Sequence, residues 1–180
     1  MKLCVYGASS DRIDRTYLDA GGELGRELAR RGHTLVFGGG ATGLMGTVVR
    51  GVSAEGGRSI GVSPKFFDEP GVLYEECSQM IFTDTMRERK ERMENESDGF
   101  IMTPGGIGTF EEFFEVLTLK QLGRHEKPIG ILNAGGYFDH LEQLLQMTAD
   151  RGFMHADCLQ LYYMTDDVGK LLDYMEGEGA

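Results

Sequence analysis

The sequence predicts an α/β fold, a Rossmann-like open parallel sheet with helices on both faces, formed by residues 1–180 as a single domain. Three observations lead there. Short apolar runs rich in β-branched and aromatic residues alternate with stretches of helical periodicity, the pattern of strands that helices must cover on both faces. Two of those runs end in glycine clusters that open directly into helices, Gly38-Gly39-Gly40-Ala41-Thr42-Gly43-Leu44-Met45-Gly46 and Pro104-Gly105-Gly106-Ile107-Gly108-Thr109-Phe110-Glu111-Glu112. No linker, repeat or low-complexity tract divides the 180 residues, which suffice for one sizeable core.

The chain opens on a strand at residues 2–6, followed by the small turn Gly7-Ala8-Ser9-Ser10. The two serines stand where open α/β sheets bind ligands, and equally where they would cap the next helix. Tyr17, Leu24 and Leu28 mark that helix. A strand at 34–37 delivers the first glycine cluster, with Leu44, Val48 and Val49 on the helix behind it. After a strand at 59–62, residues 64–76 hold Pro64, Pro70 and Gly71 without periodicity; a surface excursion is preferred there over a loop that moves near a ligand. A strand at 80–82 leads into a helix beginning near Asp84, on which Met86, Arg89, Lys90 and Met93 share one face. The strand at 100–102 delivers the second glycine cluster, and the helix after it carries an apolar stripe of Phe110, Phe113, Phe114 and Leu117. A strand at 129–132 precedes a helix marked by Phe138, Leu141, Leu144 and Leu145. A last strand falls within 159–164 and a last helix within 166–175, and the tail Gly177-Glu178-Gly179-Ala180 is expected to fray.

Composition narrows the partners. A net charge of -11 argues against nucleic acid or an anionic membrane, both of which require a basic surface. Cys4, Cys77 and Cys158 are odd in number and match no zinc spacing, so they read as structural thiols of a reduced, cytoplasmic protein. No signal region and no apolar run of membrane-spanning length interrupts the sequence. His33, His125, His140 and His155 form no metal motif, and no metal or cofactor is expected.

The second glycine cluster has the makings of an anion cradle, because glycines admit a close backbone approach and the first N–H groups of a helix carry partial positive charge. Gly38, Gly40 and Gly43 fit G-x-G-x-x-G, but the acidic residue that should follow the next strand is absent: Ser63, Pro64 and Lys65 stand there. Neither cluster ends in the lysine and hydroxyl of a P-loop, and no G-x-S-x-G elbow is present. Tight turns and close helix packing would also account for either cluster alone. Arg89 and Lys90 can serve an anion or simply snorkel from a core edge toward Glu88, Glu91 or Glu94. Glu112 lies nearly opposite the apolar stripe and Glu111 to one side, so periodicity does not choose between them, and the helix dipole favours both. Thr109 can cap its helix or donate to a phosphate oxygen.

Together, residues 5–10, residues 38–46, Met86 with Arg89-Lys90, and the full P-G-G-x-G-T-x-x-E pattern ending at Glu112 resemble the LOG family of cytokinin riboside 5′-monophosphate phosphoribohydrolases. Relatives often bear the older label of lysine decarboxylases. The similarity spans about the first five-sixths of the chain, continuing through Glu115-Val116, Thr118, Gln121-Leu122-Gly123 and Lys127-Pro128. Ala8 departs from a common glycine, Thr103 from a usual apolar residue before Pro104, and residues 64–76 differ from many members. The resemblance implies a homodimeric hydrolase that cleaves the N-glycosidic bond of AMP or cytokinin riboside 5′-monophosphates, giving free base and ribose 5-phosphate. It implies Arg89 and Glu112 as the catalytic pair. Lys90, Gly105, Gly106, Gly108, Thr109 and Thr118 would bind the nucleotide, together with Ser9, Gly39, Gly40 and Met86. Decarboxylation would need pyridoxal phosphate on a lysine, and Lys90 has a simpler use beside phosphate. A non-catalytic nucleotide or cofactor carrier of the same fold is the alternative, although a carrier needs the glycines and not the carboxylate.

Overall fold

The computed structural model describes residues 1–177, so residues 178–180 of the expected frayed tail lie outside the described residues. Seven parallel strands form one sheet in the order β4-β3-β2-β1-β5-β6-β7. They are β1 (Lys2–Tyr6), β2 (Thr34–Phe37), β3 (Arg58–Pro64), β4 (Gln79–Thr83), β5 (Gly99–Met102), β6 (Ile129–Leu132) and β7 (Tyr163–Thr165). The helices between and after them are α1 (Arg15–Arg30), α2 (Gly43–Ala54), α3 (Met86–Glu96), α4 (Ile107–Gln121), α5 (Asp139–Asp150) and α6 (Val168–Met175). This is the Rossmann-like α/β architecture that the alternation predicts.

Side chains alternate across the sheet, so each strand supplies two cores. Leu3 and Val5 of β1 join α1, α2 and α6 on one face, where Leu24, Leu28, Val48, Val52, Leu171 and Leu172 are buried. Cys4 and Tyr6 join α3 and α4 on the other, with Met93, Phe113 and Val116. Burial of Cys4 among them pushes its thiol up to about 12, which suits an inert structural cysteine. Helices α1 and α2 approach unusually closely because a side chain is missing between them: a Cβ on Gly25 would stand 2.1 Å from the Val48 carbonyl oxygen.

Strand order reverses at β1, which pairs with β2 on one side and β5 on the other. Connections leaving β1 and β5 therefore diverge to opposite faces and open a crevice at their carboxyl ends, the usual ligand position in such sheets. Backbone bonds hold its two lips together: Thr103 N–H donates to the Tyr6 carbonyl at 2.8 Å and Ala8 N–H to the Pro104 carbonyl at 3.0 Å. Thr103, the departure noted above, adds its hydroxyl to the same Tyr6 carbonyl at 2.8 Å.

Two expectations are corrected. The last strand is confined to Tyr163–Thr165, because Ala156–Gln160 winds into a 3₁₀ turn that buries Cys158. The apolar stripes are narrower than periodicity implied, with Phe114 38% and Leu144 51% exposed. Residues 64–76 are largely exposed, as expected of a surface excursion, but they also return to the body of the protein. Pro64 ends β3, Lys65–Phe67 forms a 3₁₀ turn, and the chain then folds back on the first glycine cluster. There Ala41 N–H donates to the Val72 carbonyl at 3.0 Å and Tyr74 N–H to that of Gly39 at 2.8 Å.

Candidate active site

A cavity of about 480 Å³ lies at the β1–β5 crevice. Its floor is the end of β1, one wall comes from the first glycine cluster with Phe67, Val72 and Leu73, and the other from α3 and the start of α4. Among the residues proposed from sequence, Ser9, Gly40, Met86, Arg89, Gly106, Gly108, Thr109 and Glu112 line it. Gly39 and Gly105 stand just behind as backbone. Gly39 takes a φ of +81°, and a Cβ on Gly105 would meet the Thr109 hydroxyl at 2.1 Å and the Ala8 nitrogen at 3.0 Å. Lys90 and Thr118 are not in the lining. Lys90 turns away to pair with Glu111 and, at 2.6 Å, with Glu115, while Thr118 is exposed along α4.

The second glycine cluster presents an open helix end. Gly106 is the N-cap of α4 and offers no side chain to its first turn. Phe110 N–H is taken by the Gly106 carbonyl at 3.2 Å, which leaves the N–H groups of Ile107, Gly108 and Thr109 without a protein acceptor among the described residues. Those donors and the positive end of the helix dipole are able to receive an anion. The cradle is braced from behind, since Tyr137 donates its hydroxyl to the Gly105 carbonyl at 2.8 Å.

Beside it sits a buried ion pair. Arg89 Nη1 donates to Glu112 Oε1 at 2.9 Å, with the side chains only 13% and 14% exposed. Arg89 reaches this position because a capping box between Thr85 and Glu88 starts α3. Its Nε also donates to the Val62 carbonyl at 3.2 Å. The far nitrogen, Nη2, stands over Gly38, where a Cβ would lie 2.2 Å from it. Burial raises the Glu112 pKa, and Arg89 offsets only part of that effect. For Lys90, burial opposes the ammonium, but Glu111 and Glu115 outweigh it and raise its pKa.

Sequence reasoning did not single out Tyr6, Ser63, Phe67, Val72 or Leu73, all of which line the cavity. For Phe67, Val72 and Leu73 the signal was a surplus of apolar residues in a connection that otherwise looked solvated. For Tyr6 it was the last position of the first strand, at the edge where such sheets bind ligands.

Fold and cavity define an open, doubly wound α/β protein with an uncapped helix end and a largely buried arginine–glutamate pair at its switch point. The chain belongs to the LOG family: the family model described as "Possible lysine decarboxylase" matches residues 45–175. It is 38% identical to the probable cytokinin riboside 5′-monophosphate phosphoribohydrolase LOGL3 of Oryza sativa subsp. japonica over 97% of this chain and 83% of that one. With the cytokinin riboside 5′-monophosphate phosphoribohydrolase LOG2 of Arabidopsis thaliana it shares 37% identity over 97% and 82% of the two chains. Among solved structures, the molybdenum cofactor carrier protein of Chlamydomonas reinhardtii has the same fold, with a TM-score of 0.74 at 23% identity over 99% of this chain and 98% of that one. Among the described residues no helix is long and apolar enough to cross a membrane.

Proposed function

We propose that the chain, acting as a single cytoplasmic domain, hydrolyses the N-glycosidic bond of AMP or a cytokinin riboside 5′-monophosphate to the free base and ribose 5-phosphate. The observation that carries this reading is the placement of the buried Arg89–Glu112 pair and the open α4 helix end in one cavity. The 5′-phosphate accepts from the free N–H groups of Ile107, Gly108 and Thr109, which fixes the ribose beside Glu112. As the bond to the base lengthens, positive charge develops at the anomeric carbon and the Glu112 carboxylate stabilises it. Water then adds at that carbon and one of its protons passes to Glu112; the base departs with the bond electrons and takes up a proton from solvent, and Glu112 returns its own to solvent. Arg89, tied to Glu112 and to Val62, organises the carboxylate. Lys90 contributes to the charge balance around α4 through Glu111 and Glu115.

Incubation of the protein with AMP and with isopentenyladenosine monophosphate, followed by chromatography, tests the reaction. Free base together with ribose 5-phosphate is expected. Measurable binding of both nucleotides without product would favour a carrier, a reading that leaves the buried Glu112 carboxylate without a task.

Two further outcomes are expected. Since ionised Glu112 is the working form and its pKa is raised, turnover falls as pH drops through a value above the ordinary 4.5 of a glutamate. A kcat–pH profile whose acid limb lies at or below 4.5 would remove Glu112 from that role. We also propose a homodimer, supported by apolar side chains that α4 and α5 leave in solvent: Phe114 at 38%, Leu122 at 65%, Leu144 at 51% and Met147 at 41% exposure. Sedimentation is expected to give twice the mass of one chain, and Phe114→Asp with Leu122→Asp to give a monomer.

A further inference from the structure

The peptide between Gly105 and Gly106 is held from outside the cavity. Tyr137 donates its hydroxyl to the Gly105 carbonyl at 2.8 Å, and Tyr137 is absent from the lining to which Gly106 belongs. No peptide bond among the described residues is cis, so the Gly105 carbonyl and the Gly106 N–H point in opposite directions. A carbonyl drawn outward to Tyr137 therefore turns the Gly106 N–H inward. That N–H has no protein acceptor among the described residues, and it stands next to the free donors of Ile107, Gly108 and Thr109. With glycine on both sides, no Cβ opposes rotation of the peptide plane. A turned plane would aim the Gly105 carbonyl at a bound anion.

Tyr137 is itself delivered by a hydrogen-bonded corner between β6 and α5. Gly135 and Gly136 take φ of +60° and +71° there. The Asn133 side chain accepts from Phe138 N–H at 2.7 Å and donates to Asp139 Oδ1 at 2.7 Å. The Tyr137 ring packs edge-on against Tyr17 and Phe138. We infer that Tyr137 is a positioning residue: by holding the Gly105 carbonyl, it presents the Gly106 N–H to the substrate's phosphate as a fourth backbone donor. Its hydroxyl acts through the peptide and touches no substrate. The inference rests on the placement of the phosphate proposed above, and its test separates the two.

Tyr137→Phe keeps the ring and its contacts and removes only the hydroxyl. Calorimetry with AMP on wild type and variant is paired with kcat at saturating AMP and with the unfolding midpoint. AMP affinity is expected to fall about tenfold, because a donor to a charged group is lost. The phosphate contact is alike in ground and transition states, so kcat is expected to stay within about threefold of wild type. Tyr17→Phe removes a hydroxyl from the same aromatic pair without reaching Gly105, and is expected to bind AMP as wild type does. Unaltered AMP affinity in Tyr137→Phe overturns the inference and leaves the nucleotide site standing. So does a weakened affinity matched by an equal loss in Tyr17→Phe, or accompanied by a collapsed unfolding midpoint, which would assign the hydroxyl to the stability of the corner. Absence of AMP binding to wild type overturns the nucleotide reading, and this inference with it.

Discussion

Glu112→Gln is expected to lower kcat for base release by about 10²- to 10⁴-fold while leaving AMP affinity within about threefold of wild type. The amide has the size of the carboxylate and its oxygen can still accept from Arg89, so the wall of the cavity is retained. It has no charge to stabilise a developing oxocarbenium ion and cannot take a proton from water. Loss therefore falls on the transition state and not on ground-state binding, which separates kcat from KM. Product chromatography on the variant, paired with calorimetry, checks both halves. A folded variant that turns over at the wild-type rate would take Glu112 out of the reaction.

The second large effect comes from a residue with no functional group. Gly38→Ala places a methyl where the Nη2 atom of Arg89 now stands, 2.2 Å from the ideal Cβ position. The obstacle is the tip of a long, flexible side chain, so the fold adjusts by moving the guanidinium, and the unfolding midpoint is expected to stay near that of wild type. Displacement breaks the alignment of Arg89 with Glu112, and a misplacement of this size costs about 10²-fold in kcat. Wild-type turnover in Gly38→Ala would show that the Arg89–Glu112 contact does not matter to the chemistry. Loss of turnover with a collapsed unfolding midpoint would instead assign Gly38 to packing.

These two residues show what the sequence could and could not disclose. The strand–glycine–helix units and six of the seven strand positions were legible, because each depends on local chemistry: apolar runs and turn residues. The choice between Glu111 and Glu112 was not, because the two are adjacent on the second turn of α4 and both lie off its apolar stripe. What separates them is the packing of α3 across the same face of the sheet, which sends Arg89 inward to Glu112 and Lys90 outward to Glu111. The same long-range packing takes Lys90 out of the cavity lining, where motif position alone had put it among the nucleotide-binding groups. Residues 64–76 disclosed their exposure but not their contacts, for a related reason. Their prolines and lack of period describe how the segment is built, whereas its return to the cavity depends on backbone bonds to Gly39 and Ala41, distant in sequence. Leu159 and Gln160 read as the start of the last strand because apolar content is shared by strands and by buried turns.

The crevice between β1 and β5 also has a kinetic consequence. Its lips are joined by residues as far apart as Tyr6 and Thr103, a separation of 97 positions. Closing so long a loop is entropically slow, and parallel pairing of this kind rewards the chain only after the loop is closed. During synthesis, β1 must wait for β5 before the cavity can exist, and the α4 helix end emerges later still. The amino-terminal half is therefore made without a binding site, and a ligand can stabilise this protein only in the final stage of folding, when the central strand gains its second neighbour.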